Sequence, residues 1–561
     1  MWSLPWAEVL VGEKGRSWRT VPQVRTVLVV VHTVTAATRL FDVLGLWARD
    51  SRVQTVFTCT GTSAFSQGTE EFLRDRGIEP ITWQAAVERE FDLAVAASYG
   101  GPLHDVQAPL LILPHGMGYN KLQPGSRFPV PGSRIPEPVF GLSESSLLHD
   151  GRLIPSVAVL SHSEQRERLR EYCQQAVDIA LIAGDPCFDR MLASRPLRET
   201  YRRHLGAHPD QRVLVISSTW GEQSLYGCFP SLVSQLARRL PLDEYRIVVA
   251  LHPNIWCAHT PWQVRNWTGE WTRAGVTVLP PEEGWRAALV AADLTIGDHG
   301  SVTFYAAALG VPVLLASAPV EAVDPASPIA RLLRIAPRLD PDGELPAQLE
   351  SAITAHDPER DSSITAHTTS VPGESARLLR SSVYGQLGLD EPAFPAETTT
   401  APLPAVANSE PISQIVHLGF GDSRDHAVVT RFPAESLRDA TRLPPEAVLV
   451  ATTSETSRRW LEWAEILLDD GRCADPGQWI RGTLARRPTA VLAATRDAAG
   501  RWVVGGLDVA EVRFTGPDEL APAYAAFLHA WVAADECVHD MPATVTFGLG
   551  GRNVTAAVEA S

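Results

Sequence analysis

The chain has 561 residues and a formal net charge of -16, from 49 basic and 65 acidic side chains; this balance argues against nucleic acid as the main partner and against a basic surface gripping an anionic membrane. The length exceeds what one hydrophobic core can organise, and no apolar run approaches the ~20 residues of a membrane span, which excludes an integral membrane segment and leaves peripheral membrane contact open. Seven cysteines stand without CxxC spacing, which predicts reduced thiols and no structural zinc; residues 1–22 show no period and no leader pattern, so an N-terminal extension and a cytoplasmic location are expected.

In chain order, residues 27–31 (Val-Leu-Val-Val-Val) read as a fully apolar strand, followed by a helix over 35–49. Further strands are expected at 53–59, 91–97, 109–113, 157–160 and 179–183, with a helix at 69–76. Strands apolar throughout that alternate with helices indicate a parallel sheet covered on both faces. After a helical connection over 192–210 the alternation resumes, with strands at 212–217, 246–251, 276–279, 294–296 and 311–316. Helices are expected at 229–240, 285–292, 302–309 and 346–355. The fold class is therefore α/β, two doubly wound Rossmann-like domains at 1–192 and 193–390. Residues 391–411, rich in Pro, Ala and Thr, read as an extended linker. Residues 412–561 mix strands at 414–419, 427–431, 447–452, 490–494 and 502–507 with helices at 457–468 and 521–533, which predicts an accessory α+β domain of unknown role.

Chemistry concentrates where strands end. Ligands of open α/β sheets bind beyond the carboxyl ends of the strands. The turn Asp298-His299-Gly300-Ser301 joins a buried strand to a helix, so its backbone N–H groups and the helix dipole suit a phosphate, unless it merely caps an ordinary crossover. His115, in Leu113-Pro-His-Gly116, follows another apolar strand and has the near-neutral pKa of a general base; its alternative is a structural bond to a loop carbonyl. Gly116 and Gly118 allow close approach of a substrate, and Lys121 is a candidate phosphate clamp. His252 ends a strand in the second half in the same manner, and the Ser218 and Thr219 hydroxyls end the strand at 212–217. Trp256, Trp262, Trp267, Trp271 and Trp285 crowd one region and read as packing. Asp422-Ser-Arg-Asp-His426 reads as a turn, since adjacency is not triad geometry, and Cys537-Val-His-Asp540 as a solvated loop.

His115-Gly with Asn120-Lys-Leu, Gly184-Asp-Pro, Ser218-Thr-Trp220, Leu251-His-Pro253, Asp298-His-Gly-Ser301 and Gly310-Val-Pro312 occur together in one order. Over residues 20–390 this order resembles the CDP-glycerol glycerophosphotransferases, GT-B-fold polymerases of teichoic acid. The chain departs from that pattern at Met117-Gly118, Gly221, His299-Gly300 and Tyr305. The resemblance implies His115 as base on the acceptor hydroxyl, with His252 and the 298–301 turn facing the pyrophosphate of a nucleotide-activated donor, a CDP-alcohol or a nucleotide sugar. It implies an acceptor polyol or glycan; no cofactor is expected, and with no DxD pair in the cleft motifs no sequence feature calls for a metal. The alternatives are a nucleotide-sugar glycosyltransferase or epimerase in the same cleft, and a non-catalytic nucleotide-binding relative.

Overall fold

The computed structural model describes residues 20, 24–62, 66, 68–122, 139–406, 410–421 and 423–560. The expected N-terminal extension therefore lies almost wholly outside the described residues, as does Asp422 of the triad-like segment.

Six parallel strands form the first sheet: β1 (Arg25–Val31), β2 (Val53–Cys59), β3 (Leu93–Ala96), β4 (Leu110–Ile112), β5 (Val157–Leu160) and β6 (Ala180–Ile182). Their order is β2-β1-β3-β4-β5-β6. Strand β1 shows why an uninterrupted apolar run is needed. Val27, Val29 and Val31 point into one core, while Leu28 and Val30 point into the core on the opposite face. Helix α1 (Val34–Leu44) is started by Thr33, whose hydroxyl accepts from the Ala36 N–H. Helix α2 (Pro186–Ser194) is started by Asp185, which accepts from the N–H groups of Cys187 and Phe188.

The second sheet is parallel and five-stranded, with order β9-β8-β7-β10-β11. Its members are β7 (Arg212–Ser218), β8 (Tyr245–Leu251), β9 (Thr277–Val278), β10 (Leu294–Gly297) and β11 (Val313–Leu315). It repeats the two-faced pattern, with Val213 and Val215 in one core and Leu214 and Ile216 in the other. Helix α3 (Pro253–Arg273) is one finding the pattern of the sequence did not announce: its register breaks at Thr260, at φ 65°, before Pro261. Helices α4 (Trp285–Ala291) and α5 (Ser301–Ala308) flank β10. Helix α6 (Ser375–Leu387) returns to the first sheet, where Leu379, Val383 and Leu387 pack with β1 residues. The Pro-rich stretch that follows carries no helix or strand over 391–406. It is nevertheless tied down: the Tyr201 hydroxyl donates to Ala401 O at 2.7 Å and Arg190 reaches the Thr399 and Thr400 carbonyls.

The C-terminal region corrects the α+β expectation. Nine strands close into a barrel in the order β12-β13-β19-β20-β18-β17-β16-β15-β14. They are β12 (Ser413–Phe420), β13 (His426–Pro433), β14 (Ala447–Thr452), β15 (Ile466–Arg472), β16 (Leu492–Arg496), β17 (Trp502–Gly505), β18 (Val512–Thr515), β19 (Thr544–Leu549) and β20 (Arg552–Ala560). The helix expected over 457–468 stops at Trp463, and Ile466-Leu-Leu468 instead supplies the buried part of β15. Helix α7 (Ala521–Ala533) runs inside the barrel, with Ala523 through Leu528 all under 2% exposed. A helix apolar on every side needs such an enclosure. Its rings lock to the wall, Tyr524 stacking on Phe514 at 5.0 Å and Phe527 meeting Phe547 at 5.8 Å. The barrel docks on the amino end of the second sheet through a buried Arg431–Asp243 pair at 2.6 Å and through Arg273 with Glu435 and Glu455.

Phe527→Ala should remove about 3–5 kcal/mol of stability, because the barrel wall cannot collapse onto the vacated volume. Urea unfolding followed by tryptophan fluorescence measures this; an unchanged midpoint would mean that α7 does not carry the barrel core.

Candidate functional site

The carboxyl ends of the two sheets face one another across a cleft. Its walls come from the segments after β1, β3 and β4 on one side and after β7, β8, β9 and β10 on the other. The turns after β7 and β10 sit at the topological switch point of the second sheet, where strand order reverses and two adjacent loops splay apart. Of the residues singled out in the sequence, His115, Gly116, Lys121, Ser218, Thr219, His252, His299, Gly300 and Ser301 all line this cleft. Among the described residues none that lines it lies beyond Ile329, so no described residue of the barrel contributes to it.

Asp298 is placed behind the wall, not in it. Its carboxylate is 1% exposed and accepts from the Thr219 N–H at 2.8 Å, the Thr219 hydroxyl at 2.7 Å, the Leu225 N–H at 2.9 Å and the Gly300 N–H at 3.0 Å. One buried charge thus ties the turn after β7 to the turn after β10. The fit is tight: a Cβ on Gly300 would come within 2.6 Å of the Thr219 methyl, and one on Gly116 within 2.7 Å of the Ser301 hydroxyl. The protons of Ser218 and Thr219 are spent inside the wall, Ser218 donating to Thr219 O and Thr219 to Asp298. Ser301 differs. Its oxygen accepts from the Met117 N–H at 3.0 Å, leaving its own proton to give. Helix α5 begins there, and the N–H groups of Ser301 and Val302, both on the cleft wall, have no intrahelical acceptor.

The two histidines are held in opposite tautomers. His115 Nδ1 lies 3.0 Å from the Ala97 carbonyl, which only accepts, so Nδ1 carries the proton and Nε2 keeps a lone pair. This is the loop-carbonyl bond weighed as the alternative to catalysis, and it leaves Nε2 with its lone pair. His252 Nδ1 accepts from the Asn254 N–H at 3.1 Å, so its Nε2 carries the proton. His115 is exposed on the cleft wall and His252 half-buried, and the protein packed round each ring lowers its pKa. Burial, with Lys121 nearby, pushes the His115 pKa down to about 4. Burial, Lys121 and His115 push His252 down to about 3. Both rings are neutral at physiological pH, one an acceptor and the other a donor. His252 is also the N-cap of α3, where the helix dipole further disfavours an imidazolium.

The cleft wall contains no Asp or Glu among the described residues, while Lys121, Arg39 and Arg286 line it. Lys121 has its ammonium 5.8 Å from the Trp220 ring on the facing wall, and burial lowers its pKa although Asp298 opposes the shift. Arg39 and Arg286 escaped the sequence reading. Arg286 sits in an otherwise apolar helix and Arg39 beside the buried Asp42 of its own helix, and a charge buried in such a face is the signal by which a paired or functional one is found. Arg286 binds Asp42 at 2.9 Å, and Arg39 reaches Asp185 at 3.4 Å and the Tyr305 hydroxyl at 3.2 Å. Tyr305 donates to Asp185 at 2.5 Å. Among the tryptophans, Trp256 and Trp271 are buried as expected, whereas Trp262 and Trp267 stay exposed and Trp285 joins the cleft wall. Val538–Asp540 forms a short 3-10 turn, and no cluster of three or more potential metal ligands occurs among the described residues. No helix among them is long and apolar enough to cross a membrane.

No family model matches the chain. Among curated proteins it is similar to the lipid-A-disaccharide synthase of Gloeothece citriformis (strain PCC 7424), 28% identical over 158 residues, which is 26% of this chain and 36% of that protein. The match thus spans about a third of that relative's length. Among solved structures the chain is similar to the wall teichoic acid polymerase TagF, at 11% identity and a TM-score of 0.43, over 65% of this chain and 90% of that one. It is also similar to S. aureus MnaA in complex with UDP, at 10% identity, a TM-score of 0.37 and 66% and 99% coverage. A third is Anabaena HepE in complex with UDP and glucose, at 14% identity, a TM-score of 0.35 and 65% and 99% coverage.

Asp298→Asn should destabilise the second sheet by about 2–3 kcal/mol, because an amide nitrogen would then oppose buried donors. The urea midpoint reads it out. A variant as stable as the wild type would show that the carboxylate does not hold the two turns together.

Proposed function

We propose that the chain is a transferase that moves a group from a nucleotide-diphosphate-activated donor to an acceptor hydroxyl. The observation that carries this reading is the pair of neutral histidines in opposite tautomers, in a cleft lined by cations and, among the described residues, by no carboxylate. A lone pair and an N–H on one reaction path are what proton removal from a nucleophile and stabilisation of a leaving phosphate require.

Following the motif resemblance, the donor is a CDP-alcohol and the transferred group a polyol phosphate such as glycerophosphate. The acceptor oxygen attacks the β-phosphorus in line, and the O–P bond forms as the bond from that phosphorus to the bridging oxygen breaks. CMP leaves with the electron pair. His115 Nε2 takes the hydroxyl proton, while the His252 Nε2–H, the Ser301 hydroxyl, Lys121 and the first N–H groups of α5 stabilise charge on the phosphates. Gly116 and Gly300 keep the wall close enough for backbone contact. His299, with a buried Nδ1 that lacks a partner, supplies a further contact to the donor. Most of the catalytic effect comes from positioning and fixed dipoles. The stretch similar to a lipid-A-disaccharide synthase favours a second reading, a nucleotide-sugar donor with attack at the sugar carbon in the same cleft. The place of reaction is the cytoplasm, and the barrel is an accessory module.

His115→Gln should lower kcat by about 10²–10⁴ with labelled CDP-glycerol or nucleotide sugars. The base must be unprotonated, so with a His115 pKa near 4 wild-type kcat/KM should be flat at neutral pH and fall as pH drops through about 4. A variant turning over as fast as the wild type, or no turnover with any donor, sinks the reading.

A further inference from the structure

A second pair of histidines meets outside the cleft lining, where the strand next to β4 ends. His162 follows β5 and caps the helix Ser163–Tyr172. Its Nδ1 accepts from the Glu164 N–H at 3.0 Å, which leaves the ring proton on Nε2. His367 comes from the half that carries the second sheet, on the 3-10 turn Ala366–Thr368. Its Nδ1 lies 3.3 Å from the Ile364 carbonyl, so the proton is there and Nε2 keeps a lone pair. The two half-buried rings stand 4.8 Å apart, tilted by 41°. Beside them the two halves are stitched by Ser370, whose N–H donates to Ser161 O at 3.2 Å and whose Oγ accepts from the Ser163 N–H at 3.2 Å.

Three packed elements bring charge to this pair. Arg331, on the helix Pro328–Ile335, is half-buried and makes no ion pair or side-chain hydrogen bond with a described residue. Glu164 and Arg168 belong to the helix that His162 caps and lie 3.5 Å apart, and Arg168 also holds Asp324 at 2.6 Å. With both rings neutral, Arg331 and Arg168 balance Glu164 and Asp324. Protonating both rings adds two positive charges beside Arg331, and among these described groups there is no further anion to meet them. Burial, with His367 and Arg331 nearby, already holds the His162 pKa below its ordinary value. Burial raises that of Glu164 against the pull of Arg168, His367 and Arg331, so acid also weakens the carboxylate that faces the pair. A folded-state pKa below the unfolded one fixes the sign for His162. Its contribution is complete above about pH 6.5 and is lost as pH falls through the lowered value.

We infer that His162 and His367 form an acid-sensitive clasp between the halves that carry the two sheets, closed while both rings are neutral and parted when both become imidazolium ions. The inference goes beyond the reading of the cleft and stands whether or not a donor or acceptor is identified. The clasp nevertheless bears on the cleft, because the helix that His162 caps backs its wall. A Cβ on Gly118 would come within 2.7 Å of Gln165 Nε2, and Arg168 donates to Tyr119 O. Parting the clasp therefore loosens the segment that carries His115 and Lys121.

Hydrogen exchange of the full chain, read by mass spectrometry and corrected for the intrinsic effect of pH, tests this between about pH 7.5 and about pH 5, a span that brackets the ordinary imidazole pKa. The cleft rings, at about 4 and about 3, stay neutral over it. Residues 161–172 and 366–375 should exchange about tenfold faster at the lower pH, while the barrel helix α7 stays protected. His162→Asn keeps an N-cap acceptor but cannot titrate, and His367→Gln removes the other charge. Either variant should hold the acid rate of both segments within about twofold of the neutral one, and Arg331→Gln should reduce the acceleration. The clasp is overturned if the wild type shows no acceleration in these segments, or if the variant carrying both histidine substitutions accelerates as much as the wild type. Loss of protection in α7 at the same pH overturns it as well, since that is unfolding of the whole chain.

Discussion

The cleft exists because a seam of buried polar contacts holds the carboxyl ends of two separate sheets face to face. Arg168, in the helix after β5, binds Asp324 beyond β11 at 2.6 Å, and the Asp324 N–H reaches back to Asn120 O at 2.8 Å. Met117 meets Ser301, Arg39 meets Tyr305, and Asp42 meets Arg286. Most of these groups are nearly inaccessible to water, so parting the walls would strand charges in low dielectric; removing one partner of such a pair typically costs about 3–5 kcal/mol. The seam brings a proton acceptor from one sheet and a proton donor from the other into a single space.

Neither histidine is tuned by a carboxylate. Each is tuned by one backbone contact and by burial. The Ala97 carbonyl and the Asn254 N–H are fixed by strand and helix geometry, so the tautomers are decided before any ligand arrives. Burial and Lys121 then keep both rings uncharged. Asp298 serves at one remove: it spends its charge on four donors and shapes the wall, so that backbone N–H groups, not a carboxylate, face the cleft. Tyr305, one of the departures from the resembled pattern, bonds Asp185 and Arg39 through its hydroxyl within the seam. Two of the cleft's cations, Arg39 and Arg286, come from helix faces outside the motifs, which is why the motifs alone understated them.

Much of the scaffold was legible because parallel strands buried on both faces have a strong signature. Runs such as Val27-Leu-Val-Val-Val31 have no solvated face, and the short polar turn after each run marks a carboxyl end. Strand-end histidines and the 298–301 turn could be picked out for that reason. Arg39 and Arg286 could not be assigned a role, because what neutralises them lies far away in sequence. The barrel was read as α+β because its closure depends on pairings such as β13 with β19, over a hundred residues apart. Helix α7 was expected from the sequence, and only the surrounding strands explain why its faces are apolar all round.

By itself the sequence determined where strands stop and which side chains stand at their ends, since local periodicity and turn chemistry act over a few residues. That His115 and His252 belong to one site, that Asp298 turns away from it, and which atom of each ring keeps its proton were decided only by the tertiary structure. The physical reason is that a tautomer is set by the partner of the other ring nitrogen, and burial by everything packed around it. Ala97 lies 18 residues from His115 and Thr219 lies 79 from Asp298, separations that no periodicity encodes.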